Sequence, residues 1–374
     1  ISTGAHADLN GHKACPPLEV DAMENRLAVG TLDSADCNVM EQISSHFESI
    51  ELGDLQISIS EVGDFSSALE GLSGGELDVL AVPATETMIA IDEISRIGCQ
   101  IIGARTPRRP ALVLVSPNRL MYQPKSAIII SDSELVRRQL RRARPDLDAI
   151  SPEQVMDLYS DCKCHQDEIE RARWMAELLD QGKIDGFVVS RNVYEKSDQT
   201  ERRHTLMPLP RERGSQHFLP RPYSDLIAIL TRSGFPSALT QSVTEPEGNT
   251  SLWVQSRIMS SLGDSFQETI GIQVRHRQVG AILRQAEEYR DIVLEQACHD
   301  PDGEIIEDEV RVEVRMETLS VDGSRTLALD RLVARSEFQH ATISLIMDWE
   351  KLVAEVSRDV PKDHPSDEEA PPFL

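Results

Sequence analysis

Arg26-Leu-Ala-Val-Gly-Thr31 is the stretch from which the fold can be predicted, because it has the length and apolar content of a buried strand that runs into a turn. Residues 36–50 follow, with Val39, Ile43 and Phe47 at a spacing of four, which indicates a helix with one apolar face. A strand followed by a helix is the repeating unit of a mostly parallel sheet. The sequence therefore predicts an α/β fold.

The same alternation of strand and helix continues along the chain. Further strands are predicted at residues 55–60, 77–82, 111–115, 127–130, 184–189 and 223–230. Further helices are predicted at residues 65–72, 133–142 and 168–180. We expect the strand at 223–230 to return to the first domain, by analogy with two-lobed binding folds that the chain crosses twice.

The pattern changes after Thr244. Helices are predicted at residues 251–262 and 270–297, and a closing helix at residues 340–356. Between them, strands at 309–318 and 325–329 flank Asp322-Gly323, which is a strong hairpin signal. The predicted division is a loose arm (1–24), domain 1 (25–105 with 216–235), domain 2 (111–207), domain 3 (244–358) and a disordered acidic tail (361–374).

Composition excludes several classes of protein. The 374 residues carry a formal net charge of −25, which repels polyanions, so no nucleic-acid partner is expected. No stretch approaches the roughly 18 apolar residues that cross a bilayer, and no membrane partner is expected. Residues 1–20 lack a secretory signal, and six cysteines do not make a disulfide scaffold, so a cytoplasmic location is predicted. The chain begins without Met, which is typical of a trimmed sequence.

Two cysteine segments could carry chemistry, whereas the usual nucleotide, metalloprotease and serine-hydrolase motifs do not occur. Cys162-Lys-Cys164-His165 offers ligands for a soft metal, but no second ligand pair stands out, and a polar surface loop is the alternative interpretation. Cys298 follows a charged predicted helix, and Pro301 and Gly303 predict a turn directly after it. Such a cysteine could face a cleft, or could pack as a small apolar side chain.

The segment Leu294-Glu-Gln-Ala-Cys298-His-Asp-Pro301-Asp-Gly303, with the Asp322-Gly-Ser324 turn after it, resembles hydroxymethylbilane synthase (porphobilinogen deaminase). Other pieces resemble this family in the same order along residues 25–345. They are Val29-Gly-Thr31, Gly63 to Glu70, Gly75 to Asp78, Pro107 to Val113, Arg144 to Leu147, Leu179 to Asp185, and Leu219 to Pro222 with Leu226 to Ile229.

The resemblance implies a three-domain α/β fold, with two lobes resembling type II periplasmic binding proteins and a smaller α+β C-terminal domain. It implies head-to-tail polymerisation of four porphobilinogen molecules in haem biosynthesis, on a dipyrromethane cofactor bound covalently to Cys298. A monomer with porphobilinogen as its small-molecule substrate is expected. Cofactor-binding residues would be Cys298, Ser34, Ser131 and Ser133, and substrate-binding residues Arg137, Arg138, Arg173 and Lys196.

The chain departs from this family at catalytic positions. Ala81 lies where the family has its catalytic Asp, so Asp78 or Asp64 is the candidate replacement. Leu32 and Ser67 replace two cationic residues of the family. The alternative hypothesis is therefore a non-catalytic homologue that binds a tetrapyrrole, another anionic ligand or a protein.

Overall fold

The computed structural model describes residues 26–50, 55–106, 112–159, 165–208, 216–263, 266–299, 302–306 and 308–356. The predicted N-terminal arm (1–24) and acidic tail (361–374) lie outside these residues. The strands are β1 (Arg26–Thr31), β2 (Gln56–Glu61), β3 (Val79–Pro83), β4 (Cys99–Arg105), β5 (Leu112–Val115), β6 (Ile128–Ser131), β7 (Asp148–Ile150), β8 (Gly186–Ser190), β9 (Arg203–Leu206), β10 (Ile227–Arg232), β11 (Ile270–Gln278), β12 (Val310–Leu319) and β13 (Thr326–Ala334).

The helices lie between these strands and after them. They are α1 (Val39–Glu48), α2 (Phe65–Gly74), α3 (Ala84–Ile89), α4 (Ile91–Arg96), α5 (Glu134–Ala143), α6 (Pro152–Leu158), α7 (Glu168–Asp180), α8 (Arg191–Lys196), α9 (Ser237–Val243), α10 (Pro246–Met259), α11 (Val279–Tyr289), α12 (Ile292–Gln296) and α13 (Phe338–Val356).

The strands form three sheets, of which two have the same topology. Sheet A has the order β2-β1-β3-β10-β4, and sheet B has the order β7-β6-β8-β5-β9. In each sheet the fourth strand, β10 or β5, runs antiparallel to both neighbours. Each of these strands comes directly after the chain has passed from one sheet to the other. The predicted mixed α/β fold with two sheet-containing lobes is confirmed; lobe 1 is built on sheet A and lobe 2 on sheet B.

Both lobes bury the two faces of their central strands. In lobe 1, Leu80 and Val82 pack on one side of β3, while Val79 and Ala81 pack on the other. All five residues of β3 are buried, as expected for a strand in a sheet that has helices on both faces. This explains why the sequence shows such strands as continuous apolar runs.

Sheet C has the order β11-β12-β13 and only one apolar face. Ile272 and Val274 pack with Trp349 of α13 on that face, whereas Arg311 and Glu313 lie on the other. The predicted hairpin is confirmed by the antiparallel pairing of β12 with β13. The predicted helix at 270–297 is wrong over its first part. Apolar residues alternate with polar ones there, so residues 270–278 form β11, and the helices α11 and α12 follow.

The segment after β10 packs against both lobes. On lobe 1, Gly248 of α10 lies so close to the Ala104 carbonyl that a Cβ at position 248 would overlap it. On lobe 2, Arg138 of α5 donates a hydrogen bond to the Leu319 carbonyl at 2.7 Å. Gly323, with a φ of +73°, lets the β12–β13 turn approach the backbone of α5.

Candidate functional site

A cavity of about 300 Å³ lies where lobe 2 meets the loop after β1 and residues 216–226, which lead the chain back to β10 in lobe 1 and which we call the return connection. Its apolar lining residues are Leu112, Val136, Met175, Val188, Val189 and Val193. Its charged lining residues are Asp36, Asp132, Glu168, Arg171 and Arg221. Pro220 and four serines, Ser131, Ser133, Ser190 and Ser224, complete it. A concave site with apolar walls and a few converging polar groups is typical of small-molecule binding.

The topology of sheet B explains why polar groups converge here. The parallel strands β6 and β8 end at Ser131 and Ser190, and both side chains reach the cavity. Ser133 then caps α5, and Ser190 caps α8 by accepting a hydrogen bond from the Val193 amide at 3.1 Å. Ligands of open α/β sheets bind at the carboxyl ends of the strands, and this cavity lies at that edge.

Arg171 is held in place by four hydrogen-bonding and ionic contacts. Its Nε donates to Asp132 Oδ2 at 2.9 Å, and its Nη2 lies 2.9 Å from the same oxygen. Its Nη1 donates to the carbonyls of His165 and Gln166. Partial desolvation by the cavity walls raises the pKa of Asp132, against the opposing effect of Arg171, although nearly half of this side chain is exposed. The charge of Arg171 is therefore already balanced within the protein.

Glu168 stands at the first turn of α7 with no such partner. Within the part of the chain that the structure describes, its carboxylate has neither a hydrogen-bond donor nor an ion-pair partner. Burial raises the pKa of Glu168, and the nearby charge of Asp36 raises it further, against the opposing charges of Arg171 and Arg221. Asp36 itself lies 3.9 Å from Arg221 of the return connection. The cavity is therefore lined by three carboxylates and two guanidinium groups, and Glu168 is the carboxylate that neither guanidinium contacts directly.

Residues of α8 join lobe 2 to the loop after β1 at the rim of the cavity. Asn192 donates from Nδ2 to the Ala35 carbonyl at 2.7 Å, and Lys196 donates from Nζ to the Ser34 carbonyl at 3.1 Å. We call these two contacts the rim contacts. Because they link residues of different lobes next to Asp36, they hold the two walls of the cavity together.

The predicted site residues fall into two groups. Ser131 and Ser133 line the cavity, and Ser34 and Lys196 meet at its rim. Arg137 lies beneath the cavity, where its Nη1 donates to the Ser131 carbonyl at 2.5 Å and its Nη2 pairs with Glu134.

The structure places the other predicted residues away from this cavity. Arg138 joins α5 to sheet C, and Arg173 pairs with Glu170 on the surface of α7. Asp78 directly precedes β3 and accepts a hydrogen bond from the Ala28 amide at 2.9 Å. Because β1 and β3 are parallel, Asp78 lies at the amino ends of these strands of sheet A, whereas β1 ends at the other edge. Asp64 caps α2. None of these four residues lines the cavity.

Cys298 is fully buried. It is 0 % exposed and packs with Val279 and Ile282, with Leu294 and Leu332 beside them. Burial raises the pKa of its thiol, so the reactive thiolate is disfavoured. Leu294 and Pro301 match the motif of the hydroxymethylbilane synthase family in sequence. The Cys298 sulfur, however, lies in an apolar cluster and not in a cleft. The predicted covalent attachment of dipyrromethane to Cys298 is wrong for this reason.

The possible metal ligands in Cys162-Lys-Cys164-His165, for which a surface loop is the alternative, belong to a segment that is mostly outside the described residues. Cys162 and Cys164 lie there, whereas His165 is described and its carbonyl accepts from Arg171. Across the described ranges, no group of three or more His, Cys, Asp or Glu side chains is placed to hold a metal ion.

Five charged residues that line the cavity are not among the residues predicted from the sequence: Asp36, Asp132, Glu168, Arg171 and Arg221. Asp132 lies two residues after the predicted strand at 127–130, so its position near a strand end was a usable signal. Glu168 and Arg171 lie on a helix, and only the packing of α7 beside β6 and β8 brings them to the cavity. Arg221 lies in the Pro- and Arg-rich connection, whose path could not be read from the sequence.

No family model matches the chain, and no curated protein is similar to it in sequence. Among solved structures, the chain is similar to an ABC transporter from Parabacteroides distasonis, with 13% identity over 63% of this chain and 76% of that one (TM-score 0.37). It is also similar to a periplasmic substrate-binding protein of an ABC transporter from Coxiella burnetii, with 14% identity over 62% and 95% (TM-score 0.34). A putative methionine-binding lipoprotein from Bacillus subtilis matches with 11% identity over 59% and 88% (TM-score 0.32).

These comparisons and the burial of Cys298 correct the predicted identity. Membership of the hydroxymethylbilane synthase family is contradicted, because Cys298 is buried in an apolar cluster, and the similar structures named here are described as binding or transport proteins and not as that synthase. The predicted transferase activity, the dipyrromethane cofactor, the porphobilinogen substrate and the role in haem biosynthesis are corrected with it, because all of them depend on a cofactor attached to Cys298, which is buried. The alternative hypothesis of a non-catalytic ligand-binding module agrees better with these findings, but they give no support to a tetrapyrrole as its ligand.

The predicted location is corrected as well. The cytoplasmic location finds no support in the comparisons: similar structures from Treponema pallidum, Bacillus subtilis and Clostridium difficile are described as a lipoprotein and two putative lipoproteins. Among the described helices, none has both the length and the apolar content needed to cross a bilayer.

Proposed function

We propose that this chain is a two-lobed binding protein that takes a small molecule with a protonated amino group into the cavity beside Glu168. The observation that carries this proposal is the unpaired carboxylate of Glu168 in a cavity whose Arg171 is already neutralised by Asp132. A partly buried charge without a hydrogen-bond or ion-pair partner is unfavourable, and an ammonium group would supply that partner.

The rest of the cavity favours a ligand with an aliphatic part. Val136, Met175 and Val188 form an apolar wall, and a volume of about 300 Å³ lies at the small end of the range for ligand pockets. Arg221 has a half-exposed side chain and only a 3.9 Å contact with Asp36, so it can also meet an anionic group of the ligand. A zwitterion with an aliphatic side chain satisfies all three features.

A panel of small amines tests this proposal by isothermal titration calorimetry and by thermal unfolding. The panel includes L-methionine, because similar structures are named for binding it, together with L-leucine and agmatine. N-acetyl-L-methionine serves as the counterpart without a positive charge. We expect at least one amine to bind and to raise the unfolding temperature, and the acetylated compound to bind at least about tenfold more weakly.

Glu168→Gln removes the charge while keeping the size of the side chain. We expect it to weaken amine binding by about tenfold or more, which is the range for a charge-assisted hydrogen bond. Glu170→Gln, on the same helix but outside the cavity, is the matched control and should bind like the wild type. Absence of binding by every amine, or equal binding by Glu168→Gln, would overturn the proposal.

The domain division also enters here as a proposal: domain 1 (25–105 with 216–235), domain 2 (111–207) and a third domain (244–358). The third domain is supported by its own apolar core on sheet C.

Ser131 and Ser133 are proposed as ligand contacts, and Ser34 and Lys196 as rim residues. We further propose that the protein is a monomer that does not bind nucleic acid, in keeping with its net charge of −25.

A further inference from the structure

A second cavity, of about 520 Å³, lies on the outer side of lobe 1, between α10 and the pair α3–α4. Its walls are mainly apolar and include Met88, Ile91, Leu252 and Trp253. Ile91 and Trp253 are 43% and 36% exposed, so the groove is open to solvent. Trp253 and Arg257 are four residues apart on α10 and therefore lie on the same face of the helix.

The polar groups of this groove are already engaged, with one exception. Asn249 accepts from the Ala104 amide at 2.8 Å and donates to Thr244 at 3.1 Å. Ser260 donates to the Arg257 carbonyl at 3.0 Å. The guanidinium of Arg257 has no hydrogen-bond or ion-pair partner among the described residues. Arg257 is therefore the group that can recognise a ligand.

The charge of the groove differs from that of the rest of the protein. Among the described residues that line it, none is Asp or Glu, although the whole chain has 63 acidic residues and a net charge of −25. The cavity between the lobes, by contrast, is lined by three carboxylates. A cation without a partner at an apolar groove is complementary to an anion that carries an apolar group.

We infer that this groove is a second binding site, for a small amphipathic monocarboxylate. The carboxylate meets Arg257, and the hydrocarbon part covers Trp253, Met88 and Ile91. This site is separate from the cavity beside Glu168, and the inference does not depend on the proposed function of that cavity.

Decanoate, below its micellar concentration, is the probe, and the fluorescence of Trp253 is the readout. Of the three tryptophans, Trp174 and Trp349 are 8% and 1% exposed, so acrylamide quenching reports mainly on Trp253. We expect decanoate to protect the full chain from quenching, and Trp253→Phe to abolish this protection. Decanol, which lacks the charge, should bind at least about fivefold more weakly.

Arg257→Ala should weaken decanoate binding by about fivefold to tenfold, whereas Arg257→Lys should retain most of it. Arg284→Ala, which removes an exposed arginine of α11, is the matched control. Glu168→Gln should leave decanoate binding unchanged, which separates this test from that of the first cavity. Equal binding by Arg257→Ala, equal binding of decanol, or a concentration-dependent dimer that shields Trp253 without decanoate would each overturn the inference.

Discussion

Arg142 of α5 and Glu317 of β12 form an ion pair at 2.6 Å, in which the Glu317 side chain is 1% exposed. Gln139 and His217 also donate to this carboxylate, at 3.0 and 2.9 Å. Burial alone would raise the pKa of Glu317, but the hydrogen bonds from His217 and Arg142 outweigh it and lower the pKa. The pair therefore fixes sheet C to lobe 2 with a fully ionised carboxylate.

Arg142→Ala should destabilise the protein by about 3–5 kcal/mol, because it leaves the buried charge of Glu317 without its main partner. Chemical denaturation monitored by circular dichroism measures this loss. Arg284→Ala, at an exposed position, should change the stability by less than about 0.5 kcal/mol. A loss below 1 kcal/mol for Arg142→Ala would show that the pair does not hold sheet C in place.

Gly248→Ala should destabilise the protein by about 1–3 kcal/mol, although alanine is the better helix former. The added Cβ overlaps the Ala104 carbonyl, so α10 must move away from β4. Gly74→Ala, at the end of α2, meets no atom within 4 Å and should be neutral or slightly stabilising. Thermal unfolding of the two variants compares them directly, and equal effects would contradict the close contact of α10 with lobe 1.

Asp225→Asn should stabilise the protein at pH 7 and have no effect below about pH 4. Burial raises the pKa of Asp225 from 3.8 to about 6, although Gln255 donates a hydrogen bond to it. Between these two values the folded state binds the proton and the unfolded chain does not, so stability falls as the pH rises through this window. Asparagine removes this loss, which amounts to about 1–3 kcal/mol above pH 6.

Denaturation curves for Asp225→Asn and the wild type at pH 4, 5, 6 and 7 measure this difference. The gap between the two proteins should widen from pH 4 to pH 6 and then stay constant. A constant gap over the whole range would mean that Asp225 titrates at the same pH in the folded and the unfolded chain.

Asn192→Ala should weaken ligand binding in the cavity between the lobes by about threefold to tenfold. It removes one of the two rim contacts, a hydrogen bond worth about 0.5–1.5 kcal/mol. Calorimetry with the ligand found in the amine panel measures the affinity, and small-angle X-ray scattering measures the radius of gyration of the free protein. Glu195→Gln, also on α8 but outside the rim contacts, is the control. An unchanged affinity would show that the rim contacts do not contribute to ligand binding.

The sequence determined most strands of the two lobes and their longer helices, because the central strands are continuous apolar runs and the helices repeat apolar residues every three or four positions. It did not reveal β4, β7 and β9 or the short helices α3, α4, α6, α8 and α9. It determined the β12–β13 hairpin for the same local reason, since Asp322-Gly323 favours a tight turn wherever it occurs. The prediction of a helix was wrong at residues 270–278. The charged strand β11 is followed directly by the charged helix α11, so the sequence of the two resembles one long helix.

Only the tertiary structure decided where Cys298 and Glu168 lie, the first in an apolar cluster and the second at a cavity. The neighbours of a side chain come from distant parts of the chain, so a motif around Cys298 could not reveal that Val279, Ile282 and Leu332 enclose it. Glu168 resembles any other surface residue of a helix until α7 is placed beside the ends of β6 and β8. Local sequence fixes the conformation of a segment, whereas the burial and charge of a site depend on contacts between segments.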